Sequence, residues 1–348
     1  MADRYCKTVY CEKKFLEHCI KTIAEWKFCE ENFEELRLWM CIKTLILSPD
    51  IELHLNITFD DINAIDEKTS STELTEFEKT IKNILDRQQS NTDDMPGIQL
   101  LTRDFVTPET INKSDNKQLT AYYLTCADCN ICQKCMDECG VLAICPENIK
   151  DFTSILYDNG MAINRKGKAE WKKIINCSPC LCNSLILVDN YIFNDFKLLD
   201  DNLKQILDAL LPKRLNIPFH IAICSEMGNK TEQDCLIKVD NLIKNIRPNL
   251  IVKIDILKCS TSDFHDRIII TNNIYISCGS GFEILKYDFN ISRFSTVSTK
   301  MTAVAILFPF FQTSVKWTTN AYSNMINEVS RVRKSRDTKM ENRLITLC

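Results

Sequence analysis

The segment from His265 to Phe282 (HDRIIITNNIYISCGSGF) contains side chains that can bind a phosphate ester and attack it. The imidazole of His265 can act as a nucleophile or a proton donor. The guanidinium of Arg267, two positions later, can hold two phosphate oxygens at once. Asn272 and Ser280 add an amide and a hydroxyl. These residue types predict a phosphodiester site, with His265, Arg267, Asn272 and Ser280 as its candidate catalytic residues.

The spacing of these residues resembles the motif of the phospholipase D-like superfamily, His-x-Lys-x4-Asp followed after six residues by Gly-Ser-x-Asn. Arg267 stands at the Lys position, Asn272 at the Asp position and Phe282 at the final Asn position, whereas the Gly-Ser pair is kept. The segment SLILVDNYIF from Ser184 is similar to the first strand and turn of the smaller members. The His-Asp-Arg strand is closest in look to the carboxyl-terminal domain of microtubule-interacting-and-trafficking proteins, a non-catalytic relative. The resemblance runs from about residue 183 to 311.

The resemblance implies that binding is preserved better than turnover. In active members one histidine is phosphorylated while a second protonates the leaving group. None of the other histidines, which are His18, His54 and His220, has a basic residue two positions later. Hydrolysis would therefore require a homodimer that pairs two copies of His265. Alternatively, His-Asp-Arg is only the polar end of a strand, and Gly-Ser is only a turn.

A second chemical pattern is a run of closely spaced cysteines between residues 126 and 145, followed by Cys177, Cys180 and Cys182. Two Cys-x2-Cys pairs are typical of a zinc ribbon, and the run from Cys129 to Cys139 matches a ferredoxin spacing except that Gly140 replaces the usual proline. We favour zinc over an iron–sulfur cluster because no second ferredoxin-like run is present. The candidate ligands are Cys126, Cys129, Cys132, Cys135, Cys177 and Cys180. The alternative is a helix face of small apolar residues packed on a sheet, since the spacing also fits one face of a helix.

Two sets of charged residues have weaker functional interpretations. The carboxylates of Asp50, Asp60, Asp61 and Asp128 could form a metal-dependent nuclease site, but aspartates near strand ends usually cap helices or form turns. Basic side chains in the carboxyl-terminal tail could contact nucleic acid, although such clusters are more often a solvated helix face. The candidate binding residues of this tail are Arg331, Arg333, Lys334 and Arg336.

Composition places the chain among ordinary globular proteins. Its 348 residues suggest two domains, and its net charge of -4 means that phosphate binding would need a local basic patch. No secretory signal is visible, and the longest apolar run, Met301 to Phe311, is too short to span a bilayer. We therefore predict a cytoplasmic protein whose 19 cysteines are free thiols. Low glycine and proline with abundant Ile, Asn and Lys are typical of an AT-rich bacterial genome.

Strand and helix patterns alternate along the chain and predict an α/β fold. We expect a mixed α/β domain over residues 1–176, a phospholipase D-like sheet covered by helices over 183–315, and a basic helical tail over 316–348. The helix beginning at Thr231 is predicted by a capping box with Asp234, and its end by Pro248. A helix is also expected across the cysteine run, closed by Gly140.

Three functions follow from these patterns. The first is a cytosolic subunit of a larger bacterial assembly, such as an anti-phage defence complex, that binds a phosphate-bearing ligand, above all nucleic acid. The second is an active phosphodiesterase or nuclease that works as a homodimer through His265. The third is a peripheral membrane protein that binds phospholipid, which is disfavoured because the chain has no exposed amphipathic stretch of basic and aromatic residues.

Overall fold

The computed structural model describes residues 6–26, 33–48, 51–68, 74–89, 98–100, 115–152, 161–162, 181–194, 196–264, 267–278, 285–288, 293–296, 303–307 and 316–346. The described elements confirm the α/β fold, with helices packed against two main sheets. None of the described helices is both long enough and apolar enough to cross a lipid bilayer.

The first sheet is parallel, with its five strands in the order β3-β2-β1-β4-β5. Its central strand was not predicted from the sequence, because Lys7-Thr-Val-Tyr-Cys-Glu has a charged residue at each end. In the structure every residue of this strand is nevertheless buried. The strands are β1 (Lys7–Glu12), β2 (Ile51–Asn56), β3 (Ile98–Leu100), β4 (Tyr122–Leu124) and β5 (Leu142–Ile144).

Six helices accompany the first sheet in the described part of the chain: α1 (Lys13–Glu25), α2 (Phe33–Ile46), α3 (Phe59–Asp66), α4 (Glu76–Gln89), α5 (Asn116–Thr120) and α6 (Cys129–Cys139). A short 3-10 turn, Ile149–Phe152, follows β5. The helix expected across the cysteine run is α6. It ends at Gly140, whose φ of 63° and bond to Met136 form a left-handed cap.

The second sheet is mixed, with its seven strands in the order β6-β14-β11-β10-β7-β8-β9. Strands β7, β8 and β9 are parallel, and the others pair antiparallel. Every residue of β7 and β8 is buried, as expected of strands covered on both faces. The strands are β6 (Met161–Ala162), β7 (Ser184–Val188), β8 (Phe219–Ser225), β9 (Val252–Lys258), β10 (Arg267–Thr271), β11 (Tyr275–Cys278) and β14 (Ala303–Leu307).

The remaining elements complete this second unit. They are the paired strands β12 (Leu285–Asp288) and β13 (Arg293–Thr296), and the helices α7 (Phe196–Leu210), α8 (Glu232–Ile246), α9 (Lys316–Ser335) and α10 (Arg343–Thr346). The capping box of Thr231 and Asp234 is present at the start of α8, as predicted. Strand β6 lies within residues 1–176, which we assigned to the first domain, but it pairs with β14 of the second sheet.

Buried polar groups connect the two sheets. The Lys7 side chain is 1% exposed, and its Nζ donates to the carbonyl oxygens of Thr120 (2.5 Å) and Asn272 (2.8 Å). The Asn183 amide donates to the Leu119 (2.6 Å) and Cys139 (2.8 Å) carbonyls. These directional bonds at the entry to β7 and the exit of β10 fix the position of the second sheet relative to the first.

The carboxyl-terminal segment docks against the amino-terminal end of β8. The His220 ring donates from Nδ1 to the Glu341 carbonyl oxygen at 2.5 Å, and Arg343 donates to the Asn183 (2.9 Å) and Pro218 (2.8 Å) carbonyls. Burial, followed by the positive charge of Arg343, lowers the pKa of His220 to about 4. The imidazole is therefore neutral in the folded protein at pH 7.

We predict that this histidine makes the fold sensitive to acid. An unfolded histidine has a pKa of about 6.5, so the unfolded state binds the proton first. The contribution of neutral His220 is complete above about pH 6.5 and is lost as the pH falls toward 4, with a size of at most about 3 kcal/mol. Urea unfolding of the wild type and of His220→Asn, whose Nδ2 can donate in place of the histidine Nδ1 without titrating, should show the steeper loss in the wild type. Parallel pH profiles would contradict this prediction.

Candidate functional site

The predicted phosphodiester residues lie at one edge of the second sheet. Parallel strands β7, β8 and β9 end at this edge, and the antiparallel strand β10 begins there, since Ile268 pairs with Val188. We call this the carboxyl edge; it consists of Arg267 and the loops 189–194, 226–231 and 259–264. Ligands of open α/β sheets bind outside the carboxyl ends of parallel strands.

Arg267 is held at the carboxyl edge by an acid and an aromatic ring. Its Nε lies 3.9 Å from the carboxylate of Asp189, and its Cζ lies 5.1 Å from the ring centroid of Tyr191. Asp189 is buried and accepts a 2.9 Å bond from the backbone N–H of Tyr191, so the loop holds its own carboxylate in place. The Arg267 side chain is 25% exposed and Tyr191 is 44% exposed. A fixed guanidinium beside an exposed ring is thus presented to solvent.

Asn190 lies between Asp189 and Tyr191 in the sequence and is buried. Its Nδ2 donates to the Phe264 carbonyl oxygen at 2.7 Å, which ties the loop to the residue just before His265. Among the described residues its Oδ1 has no hydrogen-bond partner. A buried acceptor without a donor costs free energy, so this carboxamide offers a place for a donor at the carboxyl edge.

Further cations border the carboxyl edge. Lys230 donates to the Asn194 carbonyl oxygen at 3.0 Å and sits 5.1 Å over the Phe196 ring. Arg336, just after α9, pairs with Asp263 in the loop that precedes His265. The last turn of α9 therefore lies beside the predicted site, and its cations add to the local positive charge.

The predicted basic cluster of the tail is partly neutralised. Arg331 pairs with Glu328 at 2.5 Å and Arg336 pairs with Asp263. Within the described ranges no ion pair is seen for Arg333 or Lys334. The cluster is therefore a weaker anion site than its sequence suggests, and its importance lies in its position near the carboxyl edge.

The structure corrects the role expected of Asn272, and the other two candidates, His265 and Ser280, lie outside the described residues. Asn272 follows the far end of β10, about 16 Å along the strand from Arg267. Its Oδ1 accepts the backbone N–H groups of Asn183 (3.0 Å) and Ser184 (2.9 Å), and its Nδ2 donates to Asn183 Oδ1 (3.0 Å). The side chain is 1% exposed. It holds the start of β7 and has no free group for a ligand.

The aspartates considered as nuclease ligands have structural roles where they are described. Asp61 completes a capping box with Thr58 at the start of α3 and pairs with Lys13 at 2.6 Å. These bonds, that from Lys13 first, lower the pKa of Asp61 to about 2. Asp128 caps α6 by accepting the N–H of Asn130. Asp60 is exposed, and Asp50 lies outside the described residues.

The cysteine run divides between two environments. Cys129 and Cys132 lie in the first turn of α6, where Cys129 is half-buried and Cys132 fully buried, while Cys126 just before the helix is exposed. Cys135, proposed as a ligand, is instead buried with Cys139 near the ring of Tyr123, so the packed-face interpretation describes that end of the helix. Cys177 and Cys180 lie outside the described residues. No disulfide joins any two of the described cysteines.

Two residues that were not among our candidate ligands complete a cluster with the first turn of α6. Sulfur or oxygen atoms of Cys129, Cys145 and Glu147 all lie within 4.8 Å of one another. The neighbouring Cys132 thiol, followed by backbone N–H groups, lowers the pKa of Cys145, whereas Cys132 itself has a raised pKa because it lies beside Cys145 and is buried. The sequence contained a signal for Cys145, because this residue follows the predicted strand at the edge of the sheet where α6 begins.

No protein-family model matches this chain, and no curated protein is significantly similar to it.

Proposed function

We propose that the carboxyl edge binds the phosphodiester backbone of single-stranded nucleic acid without cleaving it. The observation that carries this proposal is the guanidinium of Arg267, fixed by Asp189 and Tyr191 at the end of three parallel strands. Arginine binds phosphate oxygens through paired N–H groups. Because Asp189 lies on the Nε side of the Arg267 guanidinium, the N–H groups on the opposite side stay available for phosphate. The resemblance of the sequence to phospholipase D-like proteins also implies that Arg267 contacts phosphate.

The exposed ring of Tyr191 supports nucleic acid rather than another phosphate-bearing ligand. Bases stack on exposed aromatic rings, and each such contact contributes about 1–3 kcal/mol. Tyr191 is 44% exposed next to Arg267, so one ligand can place a phosphate on the guanidinium and a base on the ring. The cations Lys230, Arg333 and Lys334 extend the surface along which a strand can run.

The same surface argues against a membrane role. Tyr191 is the one large exposed apolar side chain on the described part of the carboxyl edge. Insertion into a lipid interface needs a continuous apolar face, which a single tyrosine does not provide. We propose that the protein acts in the bacterial cytoplasm as a subunit of a larger assembly, a view that rests on composition and on the type of site.

We expect Arg267→Ala to weaken binding of a fluorescently labelled oligothymidylate by about tenfold or more, because one phosphate contact and the support of Tyr191 are lost together. Fluorescence anisotropy measures this directly. Tyr191→Ala should weaken binding by a similar factor and Tyr191→Phe should not. The matched control is Arg214→Ala, which removes an exposed arginine from the loop before β8, at the opposite edge of the same sheet. Equal losses in Arg267→Ala and Arg214→Ala would overturn the site.

Hydrolysis of bis(p-nitrophenyl) phosphate in the presence of a metal chelator separates binding from catalysis. The proposal expects no turnover above background in the wild type, and oligonucleotide binding that survives in His265→Ala. Turnover that disappears in His265→Ala would instead establish the homodimeric phosphodiesterase and contradict a purely binding role.

A further inference from the structure

The parallel strands of the first sheet also end at a common edge, and the proposed function does not involve the residues there. β1 is central, β2 pairs on one side and β4 on the other, so the chain changes direction between β1 and β4. At such a point the loops diverge and leave a crevice, where α/β proteins place their ligands. The residues that follow β4 and β5 here include Cys126, Cys129 and Cys145.

Three side chains converge beside this point, at the ends of the neighbouring strands β4 and β5. The sulfur atoms of Cys129 and Cys145 and a carboxylate oxygen of Glu147 lie within 4.8 Å of one another. Cys132 lies one helical turn after Cys129 and is close to Cys145, while its thiol hydrogen is directed to the Ala127 carbonyl oxygen at 3.9 Å. We propose that Cys129, Cys132, Cys145 and Glu147 bind a single zinc ion.

The backbone around Cys145 is built to hold its sulfur in place. The Cys145 N–H donates to the Asn148 Oδ1 at 2.8 Å, and the Asn148 Nδ2 donates to the Ala143 carbonyl oxygen at 3.1 Å. Asn148 is 2% exposed, so the turn after β5 is locked by a buried side chain. The backbone N–H groups of Glu147 and Asn148 point to the Cys145 sulfur. Such outer bonds orient metal-binding thiolates.

The kind and spacing of the donors select the metal. Three thiolates with one carboxylate are a donor set suited to Zn²⁺, which takes four ligands in a tetrahedron with Zn–S distances of about 2.3 Å. Three of the four donor atoms, those of Cys129, Cys145 and Glu147, already lie within 4.8 Å of one another, so the main shift needed to surround one ion is that of the Cys132 thiol. An iron–sulfur cluster requires cysteines held farther apart, because several iron and sulfide atoms stand between them. Magnesium and calcium prefer oxygen donors throughout.

The site differs from the zinc set expected from sequence. It shares Cys129 and Cys132 with that set, replaces Cys135 by Cys145, and adds Glu147, a carboxylate that lies two residues beyond Cys145. Cys135 is fully buried on the next turn of α6 and is not part of the group. This difference makes Cys135 a control with the same chemistry on the same helix.

The test is zinc and cobalt binding to the full chain purified under reducing conditions. We expect about one zinc ion per chain by elemental analysis of the wild type. Cobalt should give the intense visible bands of a tetrahedral site, with thiolate charge-transfer absorption in the near ultraviolet. Cys129→Ser and Cys145→Ser should each weaken zinc binding by roughly 100-fold or more, since losing a ligand exceeds the 10–100-fold cost of losing an outer partner. Cys135→Ala should bind zinc as the wild type does.

Glu147→Gln keeps the proposal falsifiable if a cysteine variant does not fold, because Glu147 is exposed. This variant should retain the thiolate charge-transfer absorption, change the visible cobalt bands and bind zinc more weakly. A wild type that binds no zinc, or a Cys135→Ala variant that loses it as completely as Cys145→Ser, would overturn the proposal. Oligonucleotide binding is measured separately, so the failure of one site leaves the other site untouched.

Discussion

Asn272→Ala is expected to lower the free energy of unfolding by about 3–5 kcal/mol, one of the largest effects of any single substitution here. The Asn272 carboxamide accepts two buried backbone N–H groups, those of Asn183 and Ser184, and donates to Asn183 Oδ1. Alanine would leave both donors without a partner, at about 1–3 kcal/mol each. Denaturant unfolding monitored by circular dichroism measures the loss.

The control for this prediction is Asn245→Ala, an exposed asparagine in α8, which should change stability by less than about 0.5 kcal/mol. Asn272→Asp is informative as well, because aspartate is the residue that the phospholipase D-like motif has at this position. The carboxylate can accept both N–H groups but cannot donate to Asn183, and it places a charge in a site that is 1% exposed. We expect it to destabilise the protein and to restore no hydrolysis. If the Asn272→Ala variant had normal stability but no longer bound oligonucleotide, Asn272 would be a ligand-binding residue and not a structural one.

Gly140→Ala is expected to cost about 3–4 kcal/mol. Gly140 has a φ of +63°, a conformation that costs an alanine about 1 kcal/mol. An added Cβ would also lie 2.5 Å from the Cys182 carbonyl oxygen and 2.8 Å from its carbon. That carbonyl cannot rotate away, because the next residue, Asn183, is bonded to Leu119 and Cys139. The cap of α6 and the entry to β7 would be pushed apart.

Gly228 provides a matched control for this prediction. Its φ of +56° is similar, but nothing lies within 4 Å of the position that a Cβ would take. Gly228→Ala should therefore show only the conformational cost of about 1 kcal/mol. The difference between the two variants in the same unfolding assay measures the contact with Cys182. Equal losses would show that this contact carries no free energy.

Local patterns allowed much of the second unit to be predicted. The capping box of Thr231 and Asp234 marked the start of α8, and Pro248 marked its end. Signals of this kind depend on neighbours in the chain, so one sequence contains them. Gly140 similarly marked the end of α6, and its left-handed φ explains why glycine is needed there.

Features created by contacts distant in sequence could not be predicted in the same way. Lys7 is a buried residue of the central strand because it reaches carbonyls of Thr120 and Asn272, which lie 113 and 265 positions away. Asn272 was assigned to the ligand because its bonds to Asn183 and Ser184 span about 89 positions and leave no local pattern. Glu147 was missed because one carboxylate near cysteines is common in any sequence.

The salt dependence of oligonucleotide binding shows whether Arg267 contacts a phosphate. Each phosphate contact releases counterions, so the logarithm of the affinity falls linearly with the logarithm of salt concentration. We expect Arg267→Ala to weaken binding and to lower the magnitude of this slope by about 0.7, the value for one phosphate contact on a single strand, whereas Arg214→Ala leaves both unchanged. An Arg267→Ala variant with the affinity and slope of the wild type would show that its guanidinium touches no phosphate.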